Sequence, residues 1–186
     1  MIRALALVLV LPGVALAEAP RLPFDVGGAF ALTDQHGDER TQADPDGRAQ
    51  LLFFGYANCQ QICSAALPLM ADIADELAAS GLEITPVMIT VDPNRDTVAE
   101  IGPPLASLHP DFVGLTGTHV QLQVAYDAFS VEIRHIFDDP EYGPIYAHGS
   151  FIYLLDGKGA VLALLPPILP AERAAAIART HLAPAG

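Results

Sequence analysis

The run Leu51-Leu-Phe-Phe-Gly-Tyr56 is apolar at every position, as a strand covered on both faces has to be. Beyond it the pattern changes period. From Ile62 to Ala79 the residues Leu67, Met70, Ile73, Ala74 and Leu77 recur at helical spacing, which predicts a helix with Pro68 awkwardly inside it as a candidate kink. Leu82 to Val91 reads as a second buried strand and Phe112 to Leu115 as a short third. Between them, Asp96 or Thr97 is placed to cap a helix ending before Pro103, and Thr118 to cap one running through Phe129. Ser150–Leu155 and Ala160–Leu165, joined through Gly157-Lys-Gly159, predict a hairpin, and Pro170-Ala-Glu172 opens a last helix to about Leu182.

The flanks are less regular. Pro20 and Pro23 make residues 18–27 an extended lead-in, and Phe30–Thr33 with the turn at Gln35–Asp38 predicts a small strand pair. Residues 131–147 read as an acidic, irregular excursion. Strands alternating with helices, closed by a hairpin and a helix, predict a three-layer α/β sandwich with an N-terminal β extension. The thioredoxin-like fold is the natural candidate. No internal repeat or low-complexity linker divides the chain.

The N-terminus changes the picture of where such a domain works. Met1-Ile-Arg3 is a short positive start, Ala4–Val14 an apolar stretch, and Ala15-Leu-Ala17 a small-residue cleavage site, the layout of a secretory signal peptide. Cleavage after Ala17 leaves one domain, 18–186, expected in the periplasm. The alternative is an uncleaved membrane anchor, for which the apolar run falls short of the roughly 20 residues that span a bilayer. The formal charge of −13, one unit more negative without Arg3, repels nucleic acid and anionic lipid and suits a partner with basic patches.

Candidate chemistry rests on Cys59 and Cys63, the chain's 2 cysteines. At the start of a helix, C-x-x-x-C sets both sulfurs on one face with Cβ atoms roughly 5–6 Å apart. Such a pair either chelates a soft metal or closes into a disulfide. A helix N-terminus lowers the pKa of a nearby thiol and makes it the better ligand and nucleophile. In an oxidising compartment the pair does not stay reduced by default.

Several segments resemble, in order, the SCO/SenC copper-delivery proteins of respiratory oxidase assembly. They are Gly27-Gly-Ala-Phe-Ala-Leu-Thr33, Phe54-Gly-Tyr56, Val91-Asp-Pro-Asn-Arg-Asp-Thr97, Val113-Gly-Leu-Thr-Gly-Thr118, and Tyr146-Ala-His148 leading into Ile152-Tyr-Leu-Leu-Asp156. The resemblance implies one copper ion, Cu(I) or Cu(II), held by Cys59, Cys63 and His148. It implies delivery to the dinuclear copper centre of a respiratory enzyme such as cytochrome c oxidase. The chain departs from the family pattern between the cysteines, where Gln60-Gln61-Ile62 and then Ser64 replace prolines and an acidic residue. A less rigid and less negative loop follows.

Other roles compete at the same residues. The dithiol suits a thiol–disulfide reductase that keeps a client's copper-site cysteines reduced, with a thiol reductant protein behind it. A peroxidatic cysteine would call for a Thr/Pro-rich loop and a nearby arginine, and this stretch has neither. His135 is the rival third ligand, but strand alternation explains it as a solvent-facing residue. His36, His109, His119 and His181 sit in polar or turn contexts and read as surface residues, and Met70 and Met88 as core. Asp92 reads either as a partner that orients the site or as a strand-end turn residue. The acidic residues Asp138, Asp139 and Glu141 read as a solvated loop.

Overall fold

The computed structural model describes residues 25–57 and 63–183, with the side chain of Cys63 outside that description. The signal-peptide expectation and most of the lead-in therefore lie outside the described residues, as does Cys59.

The uniformly apolar runs become the middle of a seven-stranded sheet. β3 (Ala49–Gly55) pairs in parallel with β4 (Ile84–Thr90), which is buried along its whole length, and β4 pairs in parallel with β5 (Val113–Thr116). On the other flank β3 pairs antiparallel with β8 (Ile152–Leu155), and β8 with β9 (Val161–Leu165). The N-terminal extension is β1 (Ala31–Asp34) and β2 (Glu39–Thr41), and β1 pairs antiparallel with β5, giving the order β2-β1-β5-β4-β3-β8-β9.

Neighbouring residues of a strand face opposite sides of the sheet, and the register assigns the helices to layers. Phe53, Met88 and Gly114 are aligned across β3, β4 and β5. Gly114 has no room for a side chain, because a Cβ would come within 2.7 Å of Ile101 and of Leu105 in α2 (Gly102–Ala106). That face also carries α1 (Cys63–Ala78), tied to the segment after α2 by His109 Nε2, 3.4 Å from Asp75, and α4 (Ala171–Leu182), which packs on α1. Phe54 faces the other way, its ring 5.9 Å from Tyr126 of α3 (His119–Ala128) and 5.5 Å from Phe129. Helices on both faces of one sheet make the three-layer sandwich expected from the sequence.

The helix signals behave as the sequence reading proposes, with one exception. Thr118 caps α3 in a reciprocal box, its hydroxyl accepting from the Gln121 amide while the Gln121 side chain accepts from the Thr118 amide. α1 runs through Pro68 and buries Ala66, Leu67, Met70, Ile73, Ala74 and Leu77. The helix expected to end before Pro103 instead begins at Gly102 and holds Pro103 and Pro104 in its first turn. Proline is tolerated there because a first-turn amide has no intrahelical partner to lose. Asp96 and Thr97 fall in the preceding turns, where the Thr97 carbonyl accepts from Glu100 and Ile101.

The second correction is larger. Residues 131–147 are not irregular: β6 (Arg134–Asp139) and β7 (Gly143–Ala147) form an antiparallel two-stranded sheet of their own, with a register shift between His135 and Phe137. Asp139 shapes its turn by accepting from the amides of Glu141 and Tyr142, while Asp138 and Glu141 stay exposed.

Candidate metal centre

Parallel β3 and β4 end at the same edge of the sheet, where Tyr56, Asp96 and His148 lie. β3 stops at Gly55 and Tyr56-Ala57 leads into the segment that carries Cys59. Cys63 is the first residue of α1, whose first turn contains no acidic side chain. The positive end of a helix dipole favours the thiolate form of a cysteine placed there.

Asp96 fixes the entry to this segment. Its buried Oδ2 accepts from the Ala57 amide at 3.1 Å and from the Thr90 hydroxyl at 2.7 Å, joining the ends of β3 and β4. Burial raises the Asp96 carboxyl above its ordinary value, and the two hydrogen bonds work against that rise. Asp96→Ala would strip the acceptor from a buried amide and a buried hydroxyl and is expected to cost about 1–3 kcal/mol for each orphaned group, read from urea unfolding. Asp96→Asn keeps an acceptor and is expected to be milder. Because the folded state holds the Asp96 proton more tightly than the unfolded chain does, this residue's contribution to stability declines as pH rises from 3.8 through the raised folded value. The asparagine variant should lose that slope in a series of unfolding midpoints.

His148 lies in the connection between β7 and β8, and β8 pairs with β3. That pairing brings a residue distant in sequence back to the end of β3. The half-buried ring stands edge-on to Phe53 at 5.7 Å and to Tyr56 at 6.1 Å. Its Nδ1 is 2.9 Å from the Gly149 carbonyl. A carbonyl only accepts, so Nδ1 carries the proton and the neutral ring presents its lone pair on Nε2. Burial pushes the His148 pKa below 6.5, with the Gly149 carbonyl opposing the shift. The ring is therefore neutral at pH 7, as a metal-ligating imidazole has to be.

Aromatic side chains extend from this histidine towards the β6–β7 hairpin. Tyr56 and Tyr146 meet edge to face at 5.7 Å, and His135 lies 5.7 Å from Tyr146. Tyr56 is buried, and among the described residues its hydroxyl finds no hydrogen-bond partner of ordinary geometry. Burial raises its pKa, while the nearby Tyr146 backbone and then the Arg95 charge act against the rise. Asp92, 1 % exposed, pairs with Arg95, and burial followed by the Asp92 charge raises the Tyr146 pKa. Asp92 also serves the strand-end turn, its carbonyl accepting from the amides of Arg95 and Asp96. The turn reading of Asp92 thus holds, and its carboxylate reaches the candidate site through Arg95.

Residues 18–183 match the SCO1/SenC family model. The chain belongs to the SCO1/SenC family. A SCO2-like protein of Rickettsia felis is 37% identical over 140 residues, which cover 74% of this chain and 67% of that protein. Among solved structures, copper-bound ScoI of Bradyrhizobium japonicum matches with a TM-score of 0.73 and 29% identity, covering 84% of this chain and 99% of that one. Copper-bound yeast Sco1 matches with a TM-score of 0.76 and 28% identity, covering 85% and 88%.

Within this SCO chain the remaining candidates separate by environment. Met70 and Met88 are fully buried core residues. His135 is exposed, as alternation on a strand suggested, and its Nε2 lies 3.0 Å from Asp138. His36 and His119 are exposed, whereas His109 is largely covered, with 13% of its side chain accessible beside Asp75. The sequence reading undervalued Tyr56, Arg95, Asp96 and Tyr146. Arg95 and Asp96 stood in a quoted motif, but their partners come from other parts of the fold.

Proposed function

We propose that this protein is a copper chaperone. It binds one copper ion through the thiolates of Cys59 and Cys63 and Nε2 of His148, and passes it to the dinuclear copper centre of a respiratory enzyme such as cytochrome c oxidase. The observation that carries the reading is the His148 ring, neutral, proton-bearing on Nδ1, and seated at the strand end that leads to the cysteines. Membership of a family with copper-bound members supports it. Copper is cargo here. Cuprous ion favours soft thiolates and accepts imidazole, and a three-coordinate set leaves one side open for an incoming ligand of the acceptor.

The signal-peptide layout of the sequence supports a periplasmic setting. Among the described residues no helix is long and apolar enough to cross a membrane. Anaerobic titration is expected to give one Cu(I) per chain, and alkylation of the thiols beforehand should prevent uptake. Failure to retain copper against a competing chelator, or equal uptake after alkylation, would overturn the proposal.

Cys63 at the N-terminus of α1, whose first turn holds no acidic side chain, favours a second activity of the same dithiol. One thiolate attacks a client disulfide to form a mixed disulfide. The second thiolate then displaces the client, so that two electrons leave this chain's thiols and the client's pair emerges reduced. Reduction of a disulfide-bonded client peptide should survive His148→Ala, whereas dependence on His148 would count against this second role.

A further inference from the structure

We propose that Arg95 is a positioning residue for His148, holding the β6–β7 hairpin against the end of β4 so that the chain leaving β7 delivers the imidazole to the site. The inference rests on the reading that His148 binds copper. The need for such a device follows from the topology. β6 and β7 pair with each other and not with the seven-stranded sheet, so the β8–β3 ladder holds His148 from its C-terminal side only and no ladder ties the hairpin before it to that sheet.

The Arg95 guanidinium supplies the missing connection. Nη1 donates to the Tyr142 carbonyl, Nη2 to the Pro144 carbonyl at 3.2 Å, and Nε to the buried carboxylate of Asp92. The two carbonyls flank Gly143 in the hairpin. Gly143 has φ +76°, and a Cβ there would come within 2.5 Å of Nη1, so the guanidinium fills the space a side chain would take. Arg95 also lies over the Tyr56 ring, 5.7 Å from its centroid, and Tyr56 stands edge-on to both Tyr146 and His148. One side chain thus grips the hairpin backbone and backs the ring against which the histidine rests.

The geometry calls for arginine. Three acceptors in different directions match a planar fork of five N–H donors, whereas a lysine ammonium is a compact charge on a flexible stem. If the hairpin is released, His148 occupies its copper-binding position for a smaller fraction of the time, and apparent affinity falls by that fraction.

The test is a double-mutant cycle read by Cu(I) competition, with amide hydrogen exchange on the metal-free protein. Arg95→Gln is expected to weaken Cu(I) binding by about 10–100-fold, the range seen when a ligand's supporting partner is lost. It should cause no further loss in a His148→Ala background. Arg95→Lys should restore affinity only in part. Exchange should quicken at the amides of residues 134–147 and stay unchanged in β3 and β4. Gly143→Ala keeps the Asp92–Arg95 pair but crowds the guanidinium off the two carbonyls, and it should reproduce the pattern if Arg95→Gln folds poorly. Equal weakening with and without His148, unchanged affinity, or exchange rising throughout β3 and β4 would overturn the latch. If His148→Ala itself leaves copper affinity intact, the copper reading fails instead, and unchanged hairpin exchange in Arg95→Gln and Gly143→Ala would then overturn the latch on its own.

Discussion

Cys63→Ser is expected to abolish retention of Cu(I) against a competing chelator, and His148→Ala to weaken it by more than about 10–100-fold, the cost of disturbing a mere supporting group. The order follows from ligand chemistry. Serine replaces a soft thiolate with a hard hydroxyl that stays protonated at neutral pH, whereas loss of the imidazole leaves two thiolates able to hold the ion. Cys59→Ser should resemble Cys63→Ser. The pH profile separates the ligands further. Because burial sets the His148 pKa below 6.5, proton competition at the imidazole sets in only below that value, and His148→Ala should remove this acid step. The same shift has a stability counterpart: the neutral buried ring contributes stability above 6.5 that is lost as pH falls through the lowered folded value. A His148→Ala variant holding copper as tightly as the parent, with the same acid profile, would exclude the imidazole as a ligand.

The second large effect is structural in origin. Phe53 is fully buried in the middle of β3, between β4 and β8, and its ring stands 5.7 Å from that of His148. Phe53→Ala is expected to cost about 3–5 kcal/mol, through lost burial and the cavity left behind. For a chain of this size that lowers Tm by about 6–20 °C. The folded fraction should also bind copper more weakly, because the histidine loses the wall that orients it. Phe53→Leu fills much of the volume and should recover most of the stability without recovering the edge-to-face contact. Equal copper affinity in all three folded proteins would show that the ring serves packing alone.

The sequence displayed the central architecture because burial leaves a direct mark on residue type. β3 and β4 are covered on both faces, so their runs are apolar without alternation, and the Thr118–Gln121 box is local enough to read from spacing. The β6–β7 hairpin left no such mark. Its first strand is almost entirely exposed, so neither face selects a hydrophobic alternation, and the acidic residues of its turn look like those of any loop. The α2 boundary differs from the expected one because proline, a terminator inside a helix, is accepted in its first turn. The site was legible only in part. Cys59, Cys63 and His148 could be picked out as chemistry, but the Asp96–Ala57 and Arg95–hairpin bonds join segments 39 to 49 positions apart, and no periodicity records them.

The antiparallel pairing of β8 with β3 also has a kinetic side. It is a long-range contact, and closing the loop between the two strands is slow compared with forming local structure. Synthesis runs from the N-terminus, so both thiols exist well before the histidine that follows β7, and the strand that seats it comes later still. The seating of His148 at the end of β3 is therefore among the later events in folding, and on the proposed copper reading the two thiols wait for their imidazole until β8 docks.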